Sequence, residues 1–232
     1  MRRSDWSRAR AVLGAAIASG IWFCLVTPPV AAKSDRDVPD KEPSAGCGNF
    51  DYRYERMAAG PVDYRGATDY LMRLVENAHF TQEVEMLTRG KSSTIGGDIA
   101  YTLRVIPNHP RALKAAAAYE RRRGPAAVKE MGFSTECWFD RAVSFRSADP
   151  IVRIVVATEL IRRGQKDAAR EHLVVAEQNA SESATIFYNL GLLYFELGDY
   201  ERSMAFAKSA YELGLDLPGL RQKLTKAGKW KE

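Results

Sequence analysis

Three cysteines and three histidines in a chain of 232 residues leave little material for metal or nucleophile chemistry. His79, His109 and His172 are scattered, and no HExxH, CxxC or cysteine cluster compensates, so no metal site is expected. GxSxG is absent. GKSSTIGGD has a lysine, serines and glycines but lacks the GxxxxGK[ST] order that cradles phosphate ahead of a helix, and it reads as a loop. Glu76, His79 and Glu83 share one helical face by their spacing of three and four, which an ordinary polar surface explains. The expectation is a protein that is not an enzyme and needs no cofactor. Runs rich in β-branched residues are nearly missing too, which argues against a sheet. The longest apolar run, AVLGAAIASGIWFCLV from Ala11 to Val26, falls short of the roughly 20 residues of a relaxed bilayer span.

That run is flanked in an informative way. MRRSDWSRAR before it carries four arginines and one aspartate, and TPPVAA after it puts Val30 and Ala32 at the −3 and −1 positions of a small-residue cleavage site. Residues 1–32 therefore read as a secretory signal peptide, with a periplasmic destination; an uncleaved inner-membrane anchor is the alternative. Removing them changes the charge: 34 basic against 29 acidic residues become 30 against 28. The remaining cations are dispersed, and Arg121, Arg122 and Arg123 precede Gly124, where a helix C-terminus favours them, so no nucleic-acid partner is expected. Residues 33–46 are charged and proline-bearing, the composition of a disordered tether, with no membrane span after cleavage. Residues 47–70 are aromatic-rich and punctuated by Gly60 and Pro61. With Cys24 lost alongside the signal, Cys47 and Cys137 remain as a disulfide candidate; the other reading is a buried thiol at Cys137, beside Trp138 and Phe139.

From residue 71 to 217 apolar residues recur at spacings of three and four, as in LMRLVENAHF, ALKAAAAY and IVRIVVATELI, which predicts an all-α fold. The pattern also repeats. Laying 184–217 over 150–183, an offset of 34, puts Gly191 on Ala157, Leu190 on Val156, Tyr194 on Leu160, Gly198 on Gly164, and Ala210 on Ala176. ECWFDRAVSFRSADP and IAYTLRVIPNHP carry two earlier, worn copies of the second-helix ending. RALKAAAAYERRR is the first helix of the later copy, and LMRLVENAHFTQEVEMLTR, followed by the GKSSTIGG loop, is that of the earlier. GPAAVKEMGFST adds about seven residues to the 34 period, a bulge in the turn or a longer second helix.

In these positions the chain resembles the tetratricopeptide repeat family, most specifically in NLGLLYFELGDYERS. In GNFDYR, YTLRVIPNHPRAL and the stretch from NLGLLYFELGDYERS to KAGKW it is similar to secreted proteobacterial members of that family, which supports a periplasmic address and leaves the role open. The resemblance implies a right-handed α-α superhelix of helical hairpins with an irregular N-terminal segment. Ala157, Leu160, Ala176, Gly191, Tyr194 and Ala210 are then the packing positions, and residues 218–232 a capping helix and tail, with Leu217, Leu220 and Leu224 as its apolar face. Gly191 is expected to admit the partner helix closely, Gly198 to end its helix and Asp199 to cap the next.

The same resemblance places Ile151, Ile154, Thr158, Ile161 and Arg162, then Thr185, Tyr188, Leu192, Phe195 and Glu196, on a concave groove for a peptide or protein segment. The alternative is a groove filled by the capping helix or the aromatic segment. Ile154 and Tyr188 stand where the family's carboxylate clamp requires a cation, which argues against acidic C-terminal peptides in that groove. The implied role is a non-catalytic interaction module or scaffold in an envelope assembly, secretion or surface-polymer system. The alternative is a glycan-associated accessory stacking sugars on Phe50, Tyr52, Tyr54 and Tyr64.

Overall fold

Spacings of three and four become helix throughout: the structure, a computed structural model describing Cys47 and residues 60–231, contains eleven helices and no strand among those residues. Contacts divide the chain into Met1–Ala32 and Lys33–Glu232, and the described residues all belong to the second unit. The signal, the tether and Phe50, Tyr52 and Tyr54 lie outside the described residues. The helices are α1 (Asp69–His79), α2 (Gln82–Glu85), α3 (Ile95–Val105), α4 (Pro110–Arg123), α5 (Pro125–Met131), α6 (Thr135–Phe145), α7 (Pro150–Arg162), α8 (Lys166–Gln178), α9 (Ala184–Glu196), α10 (Tyr200–Glu212) and α11 (Gly219–Lys226).

Their starts are written in side chains. Thr68, Thr94, His109, Ser134, Asp149, Ser183 and Asp199 each accept a hydrogen bond from a backbone N–H of the first turn, satisfying donors the helix cannot. Proline follows directly at α4 and α7, where its missing N–H costs nothing. Gly164 and Gly198 end α7 and α9 with the same φ of 79°, a left-handed conformation that a side chain would strain.

Two hairpins, α7–α8 and α9–α10, are copies of one another: all four helices have 13 residues, and corresponding helices begin 34 residues apart. The period continues into α11. Val152, Ile186 and Leu220 stand 34 apart and are buried, as are Val156, Leu190 and Leu224. The final helix is thus the first half of a further hairpin, and packs on α9 and α10 accordingly. Leu217 departs from the expected apolar face: it precedes α11 and is about half exposed, so Leu220, Leu224 and Trp230 form that face.

Gly191 accounts for the fit. A Cβ built there would stand 2.6 Å from Leu220 Cδ2 and 3.2 Å from Ser203 O, and Ser203 Oγ donates to Gly191 O at 2.7 Å. Three helices meet at that point with no room for a methyl. Ala157, Ala176 and Ala210 are fully buried, Tyr194 nearly so, and Leu160 packs at the edge of two core clusters.

The upstream half keeps a longer period. α3 and α6 begin 40 residues apart, as do α4 and α7. The extra residues neither bulge a turn nor lengthen a helix; they form α5, which buries Ala127 and Met131 and packs on α3 and α4. The single helix expected over LMRLVENAHFTQEVEMLTR is broken. Phe80 leaves helical geometry (φ −131°, ψ 50°) to bury its ring in the core, edge-on to His109 at 5.0 Å, and α2 starts two residues later. The loop expected over GKSSTIGG ends earlier, at Thr94, which caps α3.

Ahead of α1, residues 60–68 lie across the turns joining the first hairpins. Val62 N–H donates to Val105 O at 2.8 Å. The Asn108 amide donates to Asp63 (2.9 Å) and Asp149 (3.0 Å) and accepts from Tyr64 N–H (3.3 Å), while Arg146 Nε donates to Asp63 at 2.9 Å. One buried amide therefore ties the segment to both turns. Burial alone would raise the Asp63 carboxyl, but hydrogen bonds from Arg65 and Asn108 outweigh it and hold the group well below the ordinary carboxylate range. A depressed folded value stabilises the fold fully above the unfolded value near 4, and that contribution is lost progressively as pH falls from there through the much lower folded value. Acid titration should therefore release this segment below about pH 4, read by amide exchange at Val62 and Tyr64. In Asp63→Asn this acid step should be absent, and an unchanged step would assign it elsewhere.

The second tie is covalent. Cys47 and Cys137 form a disulfide, and Arg141, buried against the Phe133 and Trp138 rings, donates to Cys47 O at 3.1 Å. The buried-thiol reading of Cys137 is thereby set aside.

Candidate interaction surface

The residues placed on a concave groove do not line an open channel in the last repeat. Tyr188 Oη accepts from Leu220 N–H at 3.2 Å, Lys223 pairs with Glu196 at 3.4 Å and lies over the Phe195 ring, and Leu192 joins the cluster around Leu220 and Leu224. The capping helix covers them. One repeat earlier, Ile151, Ile154 and Ile161 belong to the cluster shared with α9, Ile154 being buried. Thr158 spends its hydroxyl on Ile154 O at 2.7 Å. Thr185 is exposed, and Arg162 is engaged as described below.

Of the four aromatics considered for sugar stacking, Tyr64 is the one described. It is half-buried against Val75, Val105 and Ile106, and burial, then the Asp149 charge, push its hydroxyl far above its ordinary value. That is a packed ring. The polar helix face also disperses: Glu76 pairs with His109 and Arg111, His79 with Asp98, and Glu83 with Arg89. Among the described residues no group of three His, Cys, Asp or Glu side chains could hold a metal ion. The glycine-serine loop has its own occupant. Asp98, fully buried, accepts from the N–H groups of Lys91 (2.6 Å), Ser92 (3.1 Å) and Ser93 (3.2 Å), so an internal carboxylate fills the nest an external anion would need.

Two open concavities flank Arg163. The first, about 450 Å³, is lined by Glu120, Arg121, Gly124, Pro125, Val128 and Arg163, where the end of α4 turns sharply into α5. The second, about 210 Å³, has an apolar floor of Phe139, Val143, Val156 and Leu160 from α6 and α7, with Glu136, Asp140, Glu159, Arg163 and His172 among the charged or titratable groups around it. Glu159, its side chain 4% exposed, lines the second. It receives Arg121 Nη1, Arg162 Nη1 at 2.9 Å and Arg163 Nε at 3.1 Å. A carboxylate so buried is costly unless compensated, and the three guanidiniums, each more than a third exposed, overcompensate it. The His172 wall is steadied by Arg153, 3.2 Å from His172 Nδ1 and also donating to Ser147 O.

Sequence reading noticed Arg121–Arg123 only as a helix end. The missing signal was Glu159, an acidic residue two positions after the repeat's small position at Ala157, whose burial and arginine partners the helix spacing does not show. No protein-family model matches the chain, and the comparisons find no similar characterised protein or solved structure.

Proposed function

We propose that the protein is a tetratricopeptide-like stack of helical hairpins that works as a non-catalytic interaction module in the cell envelope, holding a segment of another polypeptide. The observation that carries this reading is the pair of clefts meeting at Arg163, an apolar floor beside a cationic wall on helices fixed by core packing on both sides. Such a combination of apolar anchor site and orienting charge is what peptide recognition uses. The 34-residue spacing of α7, α9 and the buried positions of α11 supports the family resemblance. The Cys47–Cys137 bond supports export to an oxidising compartment.

Site-specific photo-crosslinking tests it. A photo-reactive amino acid replacing Ala168, on the rim of the apolar cleft, should capture one discrete polypeptide in cells, whereas the same probe at Gln222 on the outer face of α11 should not. Equal capture from both positions, or none from Ala168, would remove the clefts from the reading.

A further inference from the structure

We infer that the cleft between the α4–α5 junction and the end of α7 takes an acidic side chain of the partner segment, with an adjacent apolar side chain seated in the neighbouring cleft. The inference rests on the interaction-module reading and specifies the ligand.

Charge complementarity is the first argument. Arg121 and Arg163 line the cleft and Arg162 joins them on Glu159, three guanidiniums against two carboxylates, both engaged: Glu159 by the arginines, and Glu120 by Thr135 N–H. The excess is positive at this cleft alone; Glu136 and Asp140 border the neighbouring one, which places the acidic side chain on the Arg121 side and the aliphatic one across Arg163. A guanidinium has five N–H donors in a planar fork, and the bonds to Glu159 occupy one nitrogen each on Arg121, Arg162 and Arg163. Donors remain for a second carboxylate, which such forks bind in preference to diffuse charge.

Shape is the second. Pro125 and Val128 form an apolar wall, and at Gly124 nothing lies within 4 Å of where a Cβ would be, so the entrance stays open. Across Arg163 the floor of Phe139, Val143, Val156 and Leu160 can bury an aliphatic side chain. An acidic residue flanked by an aliphatic one satisfies both halves; a polynucleotide offers no aliphatic partner. The site depends on α5, the element that separates this hairpin from the 34-residue repeats.

Titration of isotopically labelled protein, residues 33–232 with the disulfide intact, distinguishes the outcomes. The probe is a dodecapeptide of alternating glutamate and leucine pairs, compared with its glutamine–leucine counterpart. Saturable amide shifts confined to the linings of the two clefts, residues 120–128, 136–143, 156–165 and 168–172, given by the acidic peptide only and weakened by added salt, are expected. Arg163→Gln should weaken binding about tenfold and Arg163→Lys by less, since the charge remains but the fork is lost. Glu159→Gln should tighten binding, because the internal competitor for the arginines is gone; a purely structural arginine cluster would predict no gain. Equal binding of both peptides, shifts spread over the surface, no saturable shift, or polyphosphate binding as well as the acidic peptide each overturns the inference. A crosslink at Ala168 that persists unchanged in Arg163→Gln would overturn it while leaving the interaction module standing.

Discussion

Gly191→Val is expected to lower the unfolding free energy by about 3–5 kcal/mol and to loosen α11 before the rest of the chain. Its Cβ would meet Leu220 Cδ2 at 2.6 Å and backbone Ser203 O at 3.2 Å. The leucine can move; the carbonyl belongs to α10 and cannot move without shifting that helix. Displacing Leu220 also returns a fully buried aliphatic side chain to water. Gly191→Ala isolates the steric part, because alanine gains about 1 kcal/mol of helix propensity while one methyl of overpacking costs about 1–3. A net loss near 1 kcal/mol follows from those figures. Denaturant unfolding measures both variants, and amide exchange in Leu220–Leu224 reports the helix. Leu220→Ala in the alanine background should cost less than in the parent, since it removes the clash as well as the contact. Wild-type stability for the valine variant would sink the packing account.

Replacing Cys47 and Cys137 together by serine should cost about 4–5 kcal/mol, the loop-closure entropy of a bond spanning 90 residues. For a chain of this size that corresponds to a fall in melting temperature of roughly 10–15 °C. The bond joins a segment ahead of the helices to α6 in the middle of them, so it restricts the unfolded chain over the whole first half. The structural consequence is local too: Arg141 loses the Cys47 carbonyl it donates to from a buried position. Reductant should shift the parent to the behaviour of the double variant and leave the variant itself unmoved. A double variant within 1 kcal/mol of the parent would contradict this assignment of the stabilisation.

How far the sequence could be read differed by region, for reasons visible in particular residues. The hairpins over 150–217 were legible because one packing solution is used twice, and a helix pair that meets through Gly191 or Ala157 writes the same small residue at the same interval. The break at Phe80 was not legible, since LMRLVENAHFTQEVE keeps its helical spacing across it; burial of one ring in the core overrides local propensity. The insertion before α6 was visible as a length, but that it folds into α5 depends on what Ala127 and Met131 find on α3 and α4.

The groove was legible as a set of positions but not as open or filled. Position-by-position transfer put Tyr188, Leu192 and Phe195 on a groove either open or filled by the capping helix, and α11 continues the period and covers them. The arginines of α4 and α7 looked like helix-end residues because their shared partner, Glu159, is distant from Arg121 by 38 positions.

Sequence alone determined the helical class, the 34-residue interval, the close contact at Gly191, the turn glycines at 164 and 198 and the capping aspartate at 199. All are local or periodic, and periodicity survives translation into one dimension. Tertiary structure decided the pairing of Cys47 with Cys137, the bridging of two turns by Asn108, the covering of the expected groove and the clustering of Arg121, Arg162 and Arg163 around Glu159. Those depend on which surfaces meet when hairpins stack, and neither helix propensity nor spacing encodes the distance between residues that far apart along the chain.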